Sequence, residues 1–241
     1  MNAPKILLYG PFGSGKTVFA ATGGKDVKFI DCDGGLASAI TYKDAWTEVR
    51  RIAAANAIRC TEDDPTRAVA ASRVTSFLQG AFKDARDGKF PQRVLVLDSL
   101  TKLDDYVMRS VLAADGMLGK HPRIQHWGTR DIMMKEIASV IKAFPVAVIV
   151  IAHQQLDTVD DNPVISPALA GRQLPGRFIA EFDEVVHTVV RRLSKAETEF
   201  VLENKSTGSI LARTRYNYDN FFNLNKGLKA YLSLMDYEIN P

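Results

Sequence analysis

Runs of like charge are missing from this chain, and with them any basic arm or acidic tail. Lysine and arginine number 31 against 28 aspartate and glutamate, a formal net charge of +3 that permits a polyanionic partner without demanding one. Cysteine is scarce: the 2 present, Cys32 and Cys60, lie far apart in the sequence without paired spacing, which argues against a disulfide scaffold or a cysteine-based zinc site. A reducing, cytoplasmic compartment is the expectation. Long apolar runs are also missing. The most apolar stretch, residues 144–152, falls far short of the roughly 20 residues of a membrane helix. The short apolar run after Lys5 is broken by Gly10, so no secretory signal is read and no membrane partner is expected. Internal repeats, low-complexity tracts and a linker are absent, which makes residues 1–241 one domain.

What the chain does have is alternation. The apolar runs Ile6-Leu7-Leu8-Tyr9, Val27-Lys28-Phe29-Ile30, Val94-Leu95-Val96-Leu97 and residues 146–151 read as strands, the last two buried on both faces. Between them, residues 16–21, 67–85, 100–112 and 130–144 carry helical spacing. Strands alternating with helices predict an α/β domain with a mainly parallel central sheet flanked by helices. Beyond Ile151 the texture changes. Residues 154–176 are polar and rich in Pro and Gly, and read as a long mobile loop. Late strands follow at 184–190, 199–202 and 210–214, the last two paired as a hairpin around Ser206-Thr207-Gly208-Ser209, and residues 224–235 form a closing helix.

The strongest chemical signal is Gly10-Pro11-Phe12-Gly13-Ser14-Gly15-Lys16-Thr17, a complete G-x-x-x-x-G-K-[ST] between a strand and a helix. Its glycines let successive N–H groups turn inward on phosphate oxygens, and the helix start adds its positive end. Lys16 supplies a charge to the β- and γ-phosphates, and the Thr17 hydroxyl is a ligand for Mg²⁺. Asp98, at the end of a buried strand, delivers a carboxylate to the same ion or its water. After the second strand, Asp31-Cys32-Asp33-Gly34-Gly35 offers an acid for the water that attacks the γ-phosphate. Asp33 is the candidate, with a turn or helix cap as its alternative role and Asp31 in reserve. Gln154, at the end of the fourth strand, is the candidate γ-phosphate sensor, with strand-end capping as its alternative. His121, His126 and His153 match no metal-ligand spacing and read as surface or polar-network histidines.

In this order, Tyr-Gly-Pro-x-x-Ser-Gly-Lys-Thr at Tyr9 to Thr17, Phe29-Ile30-Asp31, Leu95 to Ser99 and Gln154 resemble the RecA-like P-loop ATPases. Asp33 stands where those proteins carry a longer catalytic Glu. The size resembles the phage-encoded RecA-like recombination ATPases of the Sak-four single-strand annealing group. The resemblance covers roughly residues 4–215. It implies a RecA-like fold with late antiparallel strands, ATP and Mg²⁺ as cofactors, and DNA-stimulated hydrolysis in a homo-oligomeric ring or filament. It also implies single-stranded DNA and a single-strand-binding protein as partners, in a bacterial host cytoplasm. It places DNA loops at 113–128, with Lys120, Arg123 and Trp127, and at 155–176 and just beyond, with Arg172 and Arg177. Trp127 has a second reading, as a core anchor. Lys205, Arg213 and Arg215 fall where the family inserts basic residues into a neighbour's ATP site, with a solvated hairpin as the alternative. The chain differs from bacterial RecA in having neither an amino-terminal arm nor a large carboxyl-terminal domain. The leading expectation is an ATP-dependent recombination protein that pairs or anneals single strands. The alternatives are a nucleotide-gated binding module with little turnover and a RecA-fold helicase or loader motor.

Overall fold

The computed structural model describes residues 3–159, 161–170, 174–194 and 197–239. Its first half alternates as the sequence predicts: β1 (Lys5–Gly10), α1 (Lys16–Ala21), β2 (Val27–Asp31), α2 (Leu36–Thr41), α3 (Thr47–Ala55), β3 (Ile58–Arg59), α4 (Ala70–Arg86), β4 (Val94–Asp98), α5 (Leu100–Ala114), α6 (Ile124–Ala143) and β5 (Ala147–Val159). Then come β6 (Asn162–Pro167), α7 (Leu174–Ile179), β7 (Glu184–Arg192), β8 (Thr198–Glu203), β9 (Phe221–Asn223) and α8 (Gly227–Ser233). The sheet runs β3-β2-β4-β5-β1-β7-β8-β9. From β3 to β7 every pairing is parallel, and β8 and β9 join antiparallel, so the fold is a mainly parallel α/β sheet with late antiparallel strands.

Side-chain alternation in the central strands builds two cores. Leu7, Tyr9, Leu95, Leu97, Val148 and Val150 face α4, α5 and α6. Ile6, Leu8, Val94, Val96, Ile149 and Ile151 face α1, α3 and α8. Both faces are dry, which is why β1 and β4 read as unbroken apolar runs. The parallel register brings the carboxyl ends of β1, β2, β4 and β5 together, with Gly10 beside His153 and Asp31 beside Asp98.

Two expectations are corrected. The long polar loop is instead largely a β-hairpin: β5 continues to Val159 and β6 returns antiparallel, Gln154 opposite Pro167 and Val159 opposite Asn162. Pro163 and Pro167 mark it as an edge strand, where a missing N–H costs no ladder bond. The 199–202 and 210–214 segments do not form a hairpin. β8 is held by β7 and β9, and the later segment is joined to the sheet by isolated bridges at Ile165–Ile210 and Val185–Arg213 rather than by a ladder with β8. The two cysteines end neighbouring strands and share one core cluster, Cys60 N–H donating to the Asp31 carbonyl at 2.8 Å, while both thiols stay free. Residues 36–55, unassigned from the sequence, form α2 and α3. Arg50, fully buried, ties them together by donating to the Ala39 and Tyr42 carbonyls and to Asp44. Helix α6 starts at Ile124, six residues before the predicted start, because the His126 ring accepts the Arg123 N–H at 2.9 Å and caps the first turn. Among the described residues no helix is long and apolar enough to cross a membrane.

Glu184 enters β7 fully buried, with hydroxyl donors Thr214 at 2.7 Å, Tyr218 and Tyr231. Burial outweighs them and pushes its carboxyl from 4.5 up to about 7. Between those pH values the folded chain binds the extra proton, so this stabilisation is whole at low pH and is lost as pH rises through about 7. Glu184→Gln keeps an acceptor for Tyr218 and a partner for Thr214 without the charge. Denaturant unfolding at pH 5 and pH 8 is expected to show the native chain losing on the order of 2–3 kcal/mol more than the variant.

Candidate nucleotide site

The phosphate loop spans the turn from β1 to α1. Gly10, at φ 154°, has no room for a side chain, since a Cβ there would stand 2.0 Å from the Thr188 hydroxyl of β7. Gly15, at φ 84°, caps α1 in the left-handed region that glycine enters without strain. The Lys16 ammonium curls back onto the Gly10 and Pro11 carbonyls at 2.9 and 2.7 Å and the Ser14 hydroxyl at 3.3 Å. Burial lowers its pKa to about 8, against the pull of Asp98 and Asp33.

Asp98 arrives from β4 with its carboxylate 2.6 Å from the Thr17 hydroxyl, which donates to it. Burial pushes Asp98 up to about 7, in spite of that hydrogen bond. A buried carboxylate beside a hydroxyl is a hard-oxygen pair in need of positive charge, so these two residues fit a Mg²⁺ ion. With nucleotide present the ion would supply charge neutralisation on the phosphates.

The acids after β2 divide their work. Asp31 is 7% exposed, and its Oδ1 accepts from the Asp33 and Gly34 N–H groups at 3.2 and 2.7 Å. It therefore builds the turn, which removes it from the reserve role. Asp33 projects into the cleft, where its Oδ2 meets His153 Nε2 at 3.0 Å. The His153 ring in turn stacks on Phe12 of the phosphate loop, centroids 4.1 Å apart, and its Nδ1 is buried with no partner among the described residues. The sequence signal for His153 is its place directly after the apolar run 146–151, which the fold sets beside Gly10 in the last pair of the β1–β5 ladder.

Gln154, the expected sensor, lies outside the cleft lining. In a strand successive side chains alternate faces, and Gln154 Oε1 accepts from His187 Nε2 at 2.8 Å in the sheet. The polar side chain of this stretch that lines the cleft is thus His153. The cleft itself, of about 590 Å³, extends from the phosphate loop, Asp33, Asp98 and His153 along α1 to an apolar end made by Tyr42, Trp46, Phe200 and Leu224. The Trp46 indole closes that end by donating to the Asn225 carbonyl at 3.2 Å.

The remaining candidates scatter. Lys120 and Arg123 are exposed before α6, and Trp127 on α6 is 38% exposed, with the Arg130 guanidinium over its ring at 5.9 Å. Arg130 itself is buried in a two-point pair with Asp104. Arg172 and the Arg177 side chain lie outside the described residues. Arg213 turns one guanidinium nitrogen, Nη2, onto the carbonyls of Ile179, Ala180 and Phe182 at and just after the end of α7. Arg215 pairs with Asp183 at 2.8 Å on the surface, and Lys205 is exposed beyond β8. His126, placed in a polar network as expected, joins Asp115 at 2.9 Å.

A family model described as an AAA domain matches residues 2–216. The chain belongs to this AAA domain family. The match spans the sheet from β1 to β8 and the segment after it, without β9, and includes every residue of the cleft lining except Leu224 and Asn225. Among solved structures, the AAA domain is similar to the flagellar accessory protein FlaH from Methanocaldococcus jannaschii. That likeness has a TM-score of 0.46 and 9% identity, over 92% of this chain and 84% of FlaH. No curated protein matches.

Asp33→Asn keeps the shape of the turn and removes the carboxylate. It is expected to bind ATP within a few-fold of the native chain and to hydrolyse it about 10²–10⁴ times more slowly. Single-turnover hydrolysis beside equilibrium nucleotide binding checks both halves, and native rates in the variant would return Asp33 to a capping role.

Proposed function

We propose that this AAA domain is an ATPase of the phage recombination type that binds single-stranded DNA and promotes annealing or strand pairing. The observation that carries the ATPase part is the Thr17–Asp98 contact of 2.6 Å at the floor of a cleft that also holds Lys16 and Asp33. The cleft has the dimensions and polarity gradient of a nucleoside triphosphate. Its phosphate end is lined by the glycine-rich loop, Lys16 and the two acids, and its aromatic end, Tyr42 and Trp46, takes the base. Asp33 orients the attacking water, His153 holds Asp33 in place, and Lys16 leaves the loop carbonyls for the phosphates.

The DNA part is supported by the resemblance in motif order and by what surrounds the cleft. The β5–β6 hairpin begins at Gln154, directly after His153 on the same strand, with Leu156 exposed along it. Lys120, Arg123 and Trp127 are all exposed within eight residues of sequence, the combination of phosphate-neutralising charge and stackable ring that sequence-tolerant strand binding uses. Lys205 is a basic group left free to reach a neighbouring copy. The module with little turnover is a second reading, favoured by the reach of Asp33, one methylene shorter than Glu.

The test assays ATP hydrolysis and single-strand binding together, across a salt titration, with and without a non-hydrolysable ATP analogue. Hydrolysis is expected to rise with DNA and to vanish in Lys16→Ala. Lys120→Ala and Arg123→Ala are each expected to lower affinity and cut the salt slope by about 1. ATPase kinetics unchanged in Lys16→Ala would remove the nucleotide reading. Affinity for DNA indifferent to nucleotide at every salt concentration would leave the annealing module.

A further inference from the structure

The β4–β5 ladder ends where Asp98 stands beside Ile151, and β4 then turns into α5. Two residues further along β5, the His153 N–H donates to the Thr101 hydroxyl of α5 at 3.0 Å. The same hydroxyl donates to the Ala168 carbonyl at 3.0 Å, and the Ala168 N–H donates to the His153 carbonyl at 2.8 Å. These three bonds close a ring through His153 at the root of the β5–β6 hairpin, Ala168 just past the end of β6, and Thr101 near the start of α5.

The donors in this ring are fixed. The His153 N–H only donates and the Ala168 carbonyl only accepts, so the single hydroxyl hydrogen of Thr101 has one assignment. None of these groups is one the nucleotide would take, so the bond count is the same with the cleft empty or filled. The helix that carries the hydroxyl is held in turn. Further along α5, Asp104 Oδ2 accepts the Ala170 N–H at 2.9 Å, and Asp104 is paired with the buried Arg130.

What His153 carries gives its main-chain position a consequence. Its Nε2 lies 3.0 Å from Asp33 Oδ2, and its ring rests on Phe12. Asp33, one methylene shorter than Glu, has little reach to spare, and the side chain that meets it must start from a fixed Cα.

We propose that Thr101 is a positioning residue for ATP hydrolysis. Its hydroxyl fixes the main chain of His153 and, through the His153 ring, the carboxylate of Asp33 where that acid meets the attacking water. This rests on the nucleotide reading above and deepens it, since it names a determinant of turnover outside the cleft lining.

Thr101→Val removes the hydroxyl at nearly constant volume and Thr101→Ser keeps it. On the full chain, kcat and KM for ATP are measured by phosphate release, and ATP affinity by displacement of a fluorescent ATP analogue. Thr101→Val is expected to lower kcat about tenfold, because a displaced catalytic group loses its near-attack placement, with affinity within about threefold of native. Thr101→Ser is expected to restore kcat. In a His153→Ala background, Thr101→Val is expected to cost nothing more, since both act on Asp33 by one route. Thr101→Ala reads the same loss if Thr101→Val does not fold. Native kcat in a folded variant without the hydroxyl, a Ser variant as slow as the Val variant, affinity falling as far as kcat, or a fully additive loss in the His153→Ala background would each overturn the role of Thr101. A native chain that hydrolyses no ATP would overturn the ATPase reading itself, and the proposal with it.

Discussion

Asp98 is carried to the site by a strand with apolar residues on both faces, and its carboxylate ends largely buried at the floor of the cleft. That constraint orders everything around it. The Thr17 hydroxyl turns toward it, the Lys16 ammonium lies within its field, and its own pKa rises to about 7 because burial opposes the charge. A carboxylate so placed is costly for a chain with no use for a cation there. The cost is understandable once the cleft is taken to receive a metal and phosphates together.

The parallel sheet brings these groups together without any of them being adjacent in sequence. Register places Gly10, Asp31, Asp98 and His153 along one edge, and short turns do the rest. Asp31 spends its carboxylate on two backbone N–H groups, and in doing so aims Asp33 into the cleft. His153 bridges that acid to Phe12 on the phosphate loop, so the loop, the acid and the start of the β5–β6 hairpin form one connected set of contacts. The late strands are part of the same assembly. Through Thr188, β7 holds the phosphate loop, while Phe200 on β8 and Leu224 after β9 line the far end of the cleft.

The phosphate loop, Asp98 and the alternation of strands with helices were legible because each is local. A glycine-rich turn, a buried strand ending in an acid and a helical period all leave their mark within a few residues. Residues 36–55 left no such mark, since α2 and α3 are short and are held by the buried Arg50 and its carbonyl partners, a tertiary arrangement. The β6 edge strand was hidden by its prolines, which weigh against a central strand but not against an edge.

The sequence by itself determined the chemistry on offer: a phosphate cradle, a lysine, a hydroxyl and acids at the ends of strands. Which acid reaches the cleft, that His153 rather than Gln154 stands beside it, that Arg213 turns Nη2 onto carbonyls, and that Thr188 touches Ser14 were decided only by tertiary structure. The reason is geometric. Neighbouring residues of a strand point to opposite faces, so a one-residue choice between His153 and Gln154 depends on register, and register depends on the packing of both sheet faces.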